Sequence, residues 1–294
     1  MVVLSGKELS AVVRSETALR SAEFLSRFSR RPCLSVILVG DDPASQTYVN
    51  SKRKACDELG IEHRDYFFDS SIGIGELLEC IDSLNRDDNV DGILVQLPLP
   101  RHLDKNIVIN AVDPEKDVDG FHPQNMGRLL LGQKTLISCT PKGILRILDH
   151  YGIQTAGKNV CIMGRSNIVG KPMAALLMQK GRDATVTVCH TVTKDEASIT
   201  RNSDIVIVAT GRVDSLRADM VKPGAVVIDV GVNRIPDPSK KAGYVLRGDA
   251  DYEGISEIAS AMTPVPGGVG PMTIAMLMEN TLQAAFARME KANG

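Results

Sequence analysis

The stretch that decides the fold is NVCIMGRSNIVGKP, residues 159–172. Its apolar run at 160–163 predicts a buried strand, Gly164 predicts a tight turn, and a helix-compatible segment follows at 173–180. A strand, a glycine turn and a helix in this order let backbone N–H groups approach a phosphate. The pattern is a degraded dinucleotide fingerprint, because Ser166 stands where the middle glycine of G-x-G-x-x-G is usual. Such turns also serve packing alone, so the segment by itself leaves both interpretations open.

The composition is that of a globular protein long enough for two domains. The chain has 294 residues, of which 43% are hydrophobic and 24% are charged. Its formal net charge of −2 gives no electrostatic reason to expect a nucleic acid or an anionic membrane as a partner. No apolar run approaches the roughly 18 residues that a membrane-spanning helix needs. We therefore expect a soluble protein without a nucleic-acid partner and without membrane contact.

The cysteines and the N-terminus indicate a reducing compartment. Six cysteines are dispersed without a C-x-x-C pair, which favours free thiols over disulfide bonds or a zinc site. The five histidines also lack metal-ligand spacing, so we expect no metal. The chain does not open with a signal-peptide pattern; Ser5 and Glu8 instead form a capping box that predicts a helix through about Phe28. A cytoplasmic protein is the expectation.

Strand and helix patterns alternate along the whole chain. Apolar runs predict strands at residues 34–39, 92–97, 159–163, 185–189, 205–209 and 225–230. Helices are predicted at 43–59, where Asp42 is the N-cap and Gly60 the stop, and at 141–150 and 272–291. Alternation of this kind implies a mostly parallel sheet with helices on both faces.

We therefore predict an α/β protein of two domains with a ligand cleft between them. The first is an N-terminal α/β substrate domain, formed by residues 1–140 together with the C-terminal helix 272–294. The second is a Rossmann-like parallel-sheet domain at 141–271, which would bind the dinucleotide. Two further glycine turns, at 209–212 and 229–233, end later strands and are candidate walls of the cofactor cleft.

The ends of the predicted strands favour NADP over NAD. NAD-binding folds generally place an acid at the end of the second strand, where it accepts hydrogen bonds from ribose hydroxyls. Here that end reads Cys189-His190-Thr191, without an acid, and Arg165 directly follows Gly164. A carboxylate would repel a 2′-phosphate, whereas a guanidinium binds it bidentately. Arg165 as a solvated surface charge is an equally good interpretation of the residues alone.

The helix after Asp42 carries a lysine where an apolar residue is expected. One of its faces is formed by Tyr48, Lys52, Ala55, Cys56 and Leu59. Partial desolvation would lower the pKa of Lys52 toward the range useful for proton transfer. Tyr48, one turn earlier, could hydrogen-bond Lys52 or a substrate. The alternative is a lysine whose stem covers apolar surface while its amine reaches water.

Three other segments supply candidate groups. Gln96 lies near the end of a buried strand, where a polar side chain needs a partner. Asp119 can accept two N–H bonds from an amidine-like heterocycle edge, although aspartate before glycine is common in plain turns. The loop TPVPGGVGP at 263–271 is stiffened by proline and bared by glycine, so it suits either a flat ligand or a hinge.

Together these segments resemble the bifunctional methylenetetrahydrofolate dehydrogenase/methenyltetrahydrofolate cyclohydrolase family. The resemblance runs from about Gly6 to Asn280 and rests on seven blocks in family order: VGDDPASQTYVNSKRKA (39–55), DGILVQLPLP (91–100), PEKDVDGFHPQNMGRL (114–129), CTPKG (139–143), GRSNIVGKPMA (164–174), DVGVNR (229–234) and TPVPGGVGPMT (263–273). The chain departs at two positions. Thr191 stands where the family commonly has serine, which keeps the hydroxyl, and Ser138 stands where proline is usual.

The resemblance implies which residues form the site. It makes Lys52 the catalytic lysine, with Tyr48 and Gln96 beside it, and it makes Asp119 the residue that holds the pterin. The implied folate-binding residues are Tyr48, Val49, Asn50, Ser51, Lys52, Val95, Gln96, Leu97, Asp119, Pro266, Gly267, Gly268, Val269, Gly270 and Thr273. The implied NADP-binding residues are Gly164, Arg165, Ser166, His190, Thr191 and Val232. A homodimer is also implied, with a small-molecule folate as the substrate.

The implied activity is oxidation of 5,10-methylenetetrahydrofolate by NADP⁺, followed by hydrolysis of the methenyl product to 10-formyltetrahydrofolate. Two alternatives remain on the residues. Another two-domain NADP-dependent dehydrogenase, acting on shikimate-like or amino-acid substrates, would account for residues 141–271 but leave the Lys52 group unexplained. A non-catalytic NADP-binding module would bind the dinucleotide without turnover.

Overall fold

The computed structural model describes residues 1–240 and 243–292, which form two compact units. Unit 1 comprises Met1–Ala11 and Thr140–Thr273, and unit 2 comprises Val12–Cys139 and Ile274–Gly294. The predicted domain ranges 141–271 and 272–294 include residues 241–242 and 293–294, which lie outside the described residues. Among the residues described, no helix combines the length and the apolar character needed to cross a membrane.

The strands and helices follow the α/β alternation that the sequence predicts. The strands are β1 (Val2–Val3), β2 (Cys33–Val39), β3 (Glu62–Phe68), β4 (Gly92–Val95), β5 (Asn159–Met163), β6 (Thr185–Cys189), β7 (Ile205–Val208), β8 (Val226–Asp229), β9 (Asn233–Pro236), β10 (Tyr244–Arg247) and β11 (Ala261–Met262). The helices are α1 (Gly6–Phe28), α2 (Pro43–Leu59), α3 (Ile74–Arg86), α4 (Lys105–Ala111), α5 (Pro123–Leu130), α6 (Cys139–His150), α7 (Gly170–Leu177), α8 (Glu196–Arg201), α9 (Tyr252–Ser256) and α10 (Val269–Ala292).

Unit 1 is built on a parallel sheet with the strand order β1-β11-β8-β7-β5-β6. The chain leaves β5 for β6 on one side and returns to β7 on the other side, so the strand order reverses at β5. A crevice for ligands opens outside the carboxyl ends of the strands at such a reversal. The glycine turn after β5 therefore lies where a doubly wound sheet binds a dinucleotide. Strands β9 and β10 form a separate antiparallel hairpin.

Unit 2 contains a parallel sheet with the order β3-β2-β4. All seven residues of the central strand β2 are buried, as expected for a parallel strand covered on both faces. Helix α2 begins as predicted, with the Asp42 carboxylate accepting a hydrogen bond from the Ser45 N–H group at 2.8 Å. It ends at Gly60, which has the left-handed conformation with φ 68°.

The first eleven residues correct the predicted domain division, which assigned them to the substrate domain. Met1–Ala11 belong to unit 1, because Val2 and Val3 pair with Ala261 and Met262 at the edge of its sheet. The Lys7 N–H group also donates to the Gly267 carbonyl at 2.8 Å. A strand of two residues is too short to show a periodic pattern, so sequence periodicity gives no signal for this pairing.

Five predicted boundaries are also corrected. The strand predicted at 92–97 ends at Val95. Three helices begin earlier than predicted, at Cys139, Gly170 and Val269, and the helix predicted to reach residue 180 ends at Leu177. The early starts have one cause: each helix carries a proline at its third position, namely Pro141, Pro172 and Pro271. The N–H groups of a helix's first turn have no intrahelical partner, so proline is tolerated at any position of that turn. A helix can therefore begin two residues before its proline.

Lys116 provides a test of how unit 2 is held together. Its side chain is fully buried, and Nζ donates to the carbonyls of Leu84, Asn85 and Asp87 at 2.7–2.8 Å, at the C-terminal end of α3. We expect Lys116→Met to lower the free energy of unfolding by about 2–4 kcal/mol, because three carbonyl acceptors lose their donor. Urea unfolding followed by circular dichroism measures the change. The exposed Lys105→Met variant should stay within about 0.5 kcal/mol, and equal effects would contradict this role.

Candidate functional site

Lys52 and Gln96 form a hydrogen-bonded pair in unit 2. Helix α2 carries Lys52, and Gln96 directly follows β4. Lys52 Nζ donates to Gln96 Oε1 at 2.8 Å, and Gln96 Nε2 donates to the Leu97 carbonyl at 2.7 Å. The second bond fixes the amide orientation, because only Nε2 can donate to a carbonyl. Gln96 therefore presents an acceptor to the amine and holds it in one position.

The electrostatic surroundings of Lys52 suit proton transfer. Burial lowers the pKa of the Lys52 ammonium, and the nearby Asp119 carboxylate opposes part of this lowering. Burial likewise raises the pKa of Asp119 to about 6, while Lys52 limits the rise. Both groups are thus shifted toward neutral pH, where a side chain can accept and return a proton.

Asp117 was missed as a candidate by sequence reasoning. Its buried carboxylate accepts hydrogen bonds from the His122 N–H group at 2.8 Å and from Asn125 Nδ2 at 2.9 Å. These bonds hold the turn that carries Asp119, and the charge of Asp117 adds to the raised pKa of Asp119. The available signal was that Asp117 is the first residue of the sequence DVDG. Aspartate is common in ordinary turns, so its position alone does not indicate a functional residue.

Tyr48 does not lie on the buried face of α2, which corrects the predicted stripe. Its side chain is 49% exposed, whereas Val49, one residue later, is buried at 2%. The inward face of the helix is formed by Ser45, Val49, Ala55, Cys56 and Leu59, with Lys52 half-buried at its margin. An exposed aromatic ring one turn before Lys52 remains available to a ligand.

The other predicted folate-binding residues fall into two groups. In unit 2, Asn50 and Ser51 are exposed on α2, Val49 and Val95 are buried, and Leu97 is half-buried. In unit 1, Pro266, Gly267 and Gly268 form the turn that leads into α10, whose first turns contain Val269, Gly270 and Thr273. Their contacts with folate stay predictions.

The glycine turn after β5 is required by close backbone packing. Gly164 has φ 120°, and a Cβ atom there would overlap the carbonyl oxygen of Ala209 at the end of β7. A Cβ atom on Gly170 would in turn overlap the carbonyl oxygen of Gly164. These are the roles of the first and last glycines of a dinucleotide fingerprint: a tight turn and close packing of helix on strand.

The middle position of the fingerprint carries a hydroxyl in place of a glycine. Ser166 Oγ accepts hydrogen bonds from the N–H groups of Val169 at 3.1 Å and Gly170 at 3.4 Å, which caps α7. Arg165 beside it is exposed. Sequence reasoning found the turn but not this capping role.

The remaining predicted cofactor residues follow two other strands of the same sheet, β6 and β8. His190 and Thr191 follow β6, where the His190 N–H group donates to Thr193 Oγ1 at 2.9 Å. Val232 precedes β9 and is 50% exposed. Guanidinium, imidazole and hydroxyl groups, without a carboxylate at the tip of β6, fit a ligand with a ribose phosphate.

Two family models match most of the chain. The catalytic domain of tetrahydrofolate dehydrogenase/cyclohydrolase matches residues 4–119, and the NAD(P)-binding domain of the same family matches residues 138–289. The bifunctional protein FolD of Chlorobium limicola is 54% identical to the chain over 297 residues, covering 100% of this chain and 99% of the relative.

Solved structures agree with the sequence matches. The bifunctional FolD methylenetetrahydrofolate dehydrogenase/cyclohydrolase from Campylobacter jejuni is 50% identical, with a TM-score of 0.93 and coverage of 98% of this chain and 99% of that one. The Trypanosoma brucei methylenetetrahydrofolate dehydrogenase-cyclohydrolase, complexed with NADP cofactor and inhibitor, is 38% identical, with a TM-score of 0.93 and coverage of 99% of both chains. The chain belongs to the tetrahydrofolate dehydrogenase/cyclohydrolase family.

Proposed function

We propose that this enzyme oxidises 5,10-methylenetetrahydrofolate with NADP⁺ and hydrolyses the 5,10-methenyl product to 10-formyltetrahydrofolate. Family membership supports both activities, and the Trypanosoma brucei structure with bound NADP supports the cofactor. The observation that carries the assignment is the group Lys52, Gln96 and Asp119, because dinucleotide binding alone does not need it. An absorbance assay for methenyltetrahydrofolate formation, run with NADP⁺ and with NAD⁺, tests the first activity directly.

In the oxidation, the chain's contribution is positioning and tolerance of positive charge. NADP⁺, when bound, supplies the hydride acceptor. The product carries an amidinium-like cation over N5, the bridging carbon and N10. A fully charged lysine beside this cation would repel it, so the lowered pKa of Lys52 reduces that cost, while the Asp119 carboxylate attracts the cation. The same two residues are assigned to substrate binding and to the chemistry.

In the hydrolysis, Lys52 acts as the proton acceptor and donor. Water attacks the bridging carbon, and the neutral amine of Lys52 takes a proton from it. The C–N5 bond then breaks, Lys52 returns the proton to N5, and the second proton of the former water leaves to solvent as the formyl oxygen forms. Throughout the reaction the Lys52 amine donates an N–H bond to Gln96 Oε1. The lone pair of the neutral amine is therefore directed away from Gln96. Tyr48 is proposed to contact the substrate from the exposed side of α2.

The residues of unit 1 fit NADP. The two close-packed glycines keep side chains away from the turn after β5, and the exposed Arg165 stands beside that turn. We assign the cofactor to Gly164, Arg165 and Ser166, together with His190, Thr191 and Val232. Family membership argues against a dehydrogenase of another substrate class. The Lys52–Gln96 pair in unit 2 argues against a non-catalytic binding module, since dinucleotide binding alone does not need it.

We also propose an assembly state and a cellular location. Assembly as a homodimer is supported by the family resemblance. A cytoplasmic location is supported by the cysteines, because none of the six forms a disulfide bond within the described residues.

We expect Lys52→Met to lower the kcat of methenyltetrahydrofolate hydrolysis by about 10²- to 10⁴-fold, since the variant keeps the length of the side chain but cannot carry a proton. Stopped-flow loss of methenyl absorbance measures the rate. Lys54→Met is the matched control, because Lys54 lies on the same helix with 78% of its side chain exposed. Full cyclohydrolase activity in Lys52→Met would remove the assigned role.

We expect Asp119→Asn to move the ascending limb of the cyclohydrolase kcat–pH profile to lower pH. The carboxylate raises the pKa of Lys52 against the larger effect of burial, so its removal lowers that pKa and makes the neutral amine available at lower pH. Measurement at saturating folate separates this effect from weaker binding. Asp57→Asn, an exposed change on α2, should leave the profile in place. A limb that stays or moves upward contradicts the assigned coupling.

We expect Arg165→Ala to raise the KM for NADP⁺ about 10- to 100-fold and to leave the KM for NAD⁺ within about twofold, because only the former carries the 2′-phosphate. Steady-state dehydrogenase assays with both cofactors give the ratio. The control Lys158→Ala removes an exposed cation just before the amino end of β5, far along the strand from the turn. Equal increases for both cofactors would remove the 2′-phosphate argument.

A further inference from the structure

A buried carboxylate near the strand ends of unit 1 has no part in the site described above. Asp249 follows strand β10 by two residues, and its side chain is 0% exposed. A buried carboxylate is costly unless several donors compensate its charge. The identity of those donors therefore shows which parts of the structure Asp249 stabilises.

One carboxylate oxygen holds the turn after β7. Asp249 Oδ2 accepts hydrogen bonds from the N–H groups of Thr210 and Gly211, both at 2.7 Å, and from Thr210 Oγ1 at 3.1 Å. Backbone N–H groups bound to a carboxylate form short, charge-assisted bonds. The conformation of this turn thus depends on the carboxylate.

The other oxygen holds the segment after β8. Asp249 Oδ1 accepts a hydrogen bond from Asn233 Nδ2 at 2.8 Å. The carboxylate also packs against Gly231, because a Cβ atom there would overlap Oδ1. Gly231 and Asn233 lie on either side of Val232, the residue assigned to NADP contact. One side chain therefore ties together the segments that follow two neighbouring strands of the sheet.

We propose that Asp249 is a positioning residue for NADP binding: its two oxygens set the spacing between the turn at Thr210 and Gly211 and the segment that carries Val232. This inference rests on the proposed function, in which unit 1 binds NADP. It adds a residue that does not touch the cofactor and acts through the two segments. A binding site is held to sub-ångström precision only when such supporting bonds are made.

The test compares NADP affinity with an activity that does not use NADP. In Asp249→Asn, one acceptor oxygen becomes an NH₂ group, so either the turn N–H groups or the Asn233 amide loses its partner. We expect the Kd for NADP⁺, measured by isothermal titration calorimetry, to rise at least tenfold. Hydrolysis of methenyltetrahydrofolate without NADP should stay within twofold, because the hydrogen bonds of the Asp249 side chain go to Thr210, Gly211 and Asn233 and to no residue of the predicted folate site.

Asp251→Asn is the matched control. It is the same substitution two residues later in the same unit, and it weakens the cap of α9, where the Asp251 carboxylate accepts a bond from the Gly254 N–H group at 3.3 Å. Its Kd for NADP⁺ should stay within twofold of the wild-type value. Gly231→Ala is a second probe, because its methyl group would overlap the carboxylate and the backbone nitrogen of Asp249 and so displace the acceptor without removing it. It too should raise the Kd at least tenfold.

The outcomes separate the inference from the function on which it rests. Wild-type affinity in Asp249→Asn, or equal losses in Asp249→Asn and Asp251→Asn, overturns the positioning role while leaving NADP binding intact. Failure of the wild-type enzyme to bind NADP⁺ overturns the proposed function and the inference together. If Asp249→Asn does not fold by circular dichroism, Gly231→Ala decides: unchanged affinity in that variant overturns the role.

Discussion

The close approach of Gly164 to the end of β7 is the constraint on which the nucleotide-binding unit depends. Because no side chain fits between Gly164 and Ala209, the turn after β5 lies close against the end of β7, and the start of α7 packs directly on the turn. Ser166 can then cap that helix with its hydroxyl, and Arg165 is left exposed beside the turn. The shape of this turn therefore follows from backbone packing.

In unit 2 the controlling balance is electrostatic. Burial lowers the pKa of Lys52 and raises the pKa of Asp119, whereas their mutual attraction favours the charged forms of both. Gln96 contributes no charge and fixes the amine in space. A group with this balance fits the proton transfer that we propose for Lys52.

Much of the fold and several site residues could be predicted from the sequence, because the informative signals were local. The cap at Asp42, the stop at Gly60 and the glycine turn after β5 follow from residue chemistry over a few positions. The pairing of β1 with β11 could not be predicted, since it joins two residues to a segment more than two hundred positions away. The exposure of Tyr48 was also not predicted. Tyr48 and its neighbour Val49 are both apolar enough to fit the helical pattern, so the pattern does not show which of the two faces the core.

Lys116, at the C-terminal end of α3, is held by a donor geometry that only lysine can supply. An ammonium directs its three protons tetrahedrally, and Lys116 matches them to three converging carbonyls. A guanidinium is planar and wider, so arginine conserves the charge at this position but not the shape of the donor set. Because Lys116 is fully buried, its amine is shielded from acylating reagents while the protein is folded. Labelling of Lys116 would thus report opening of this corner of the molecule, at a residue that takes no part in catalysis.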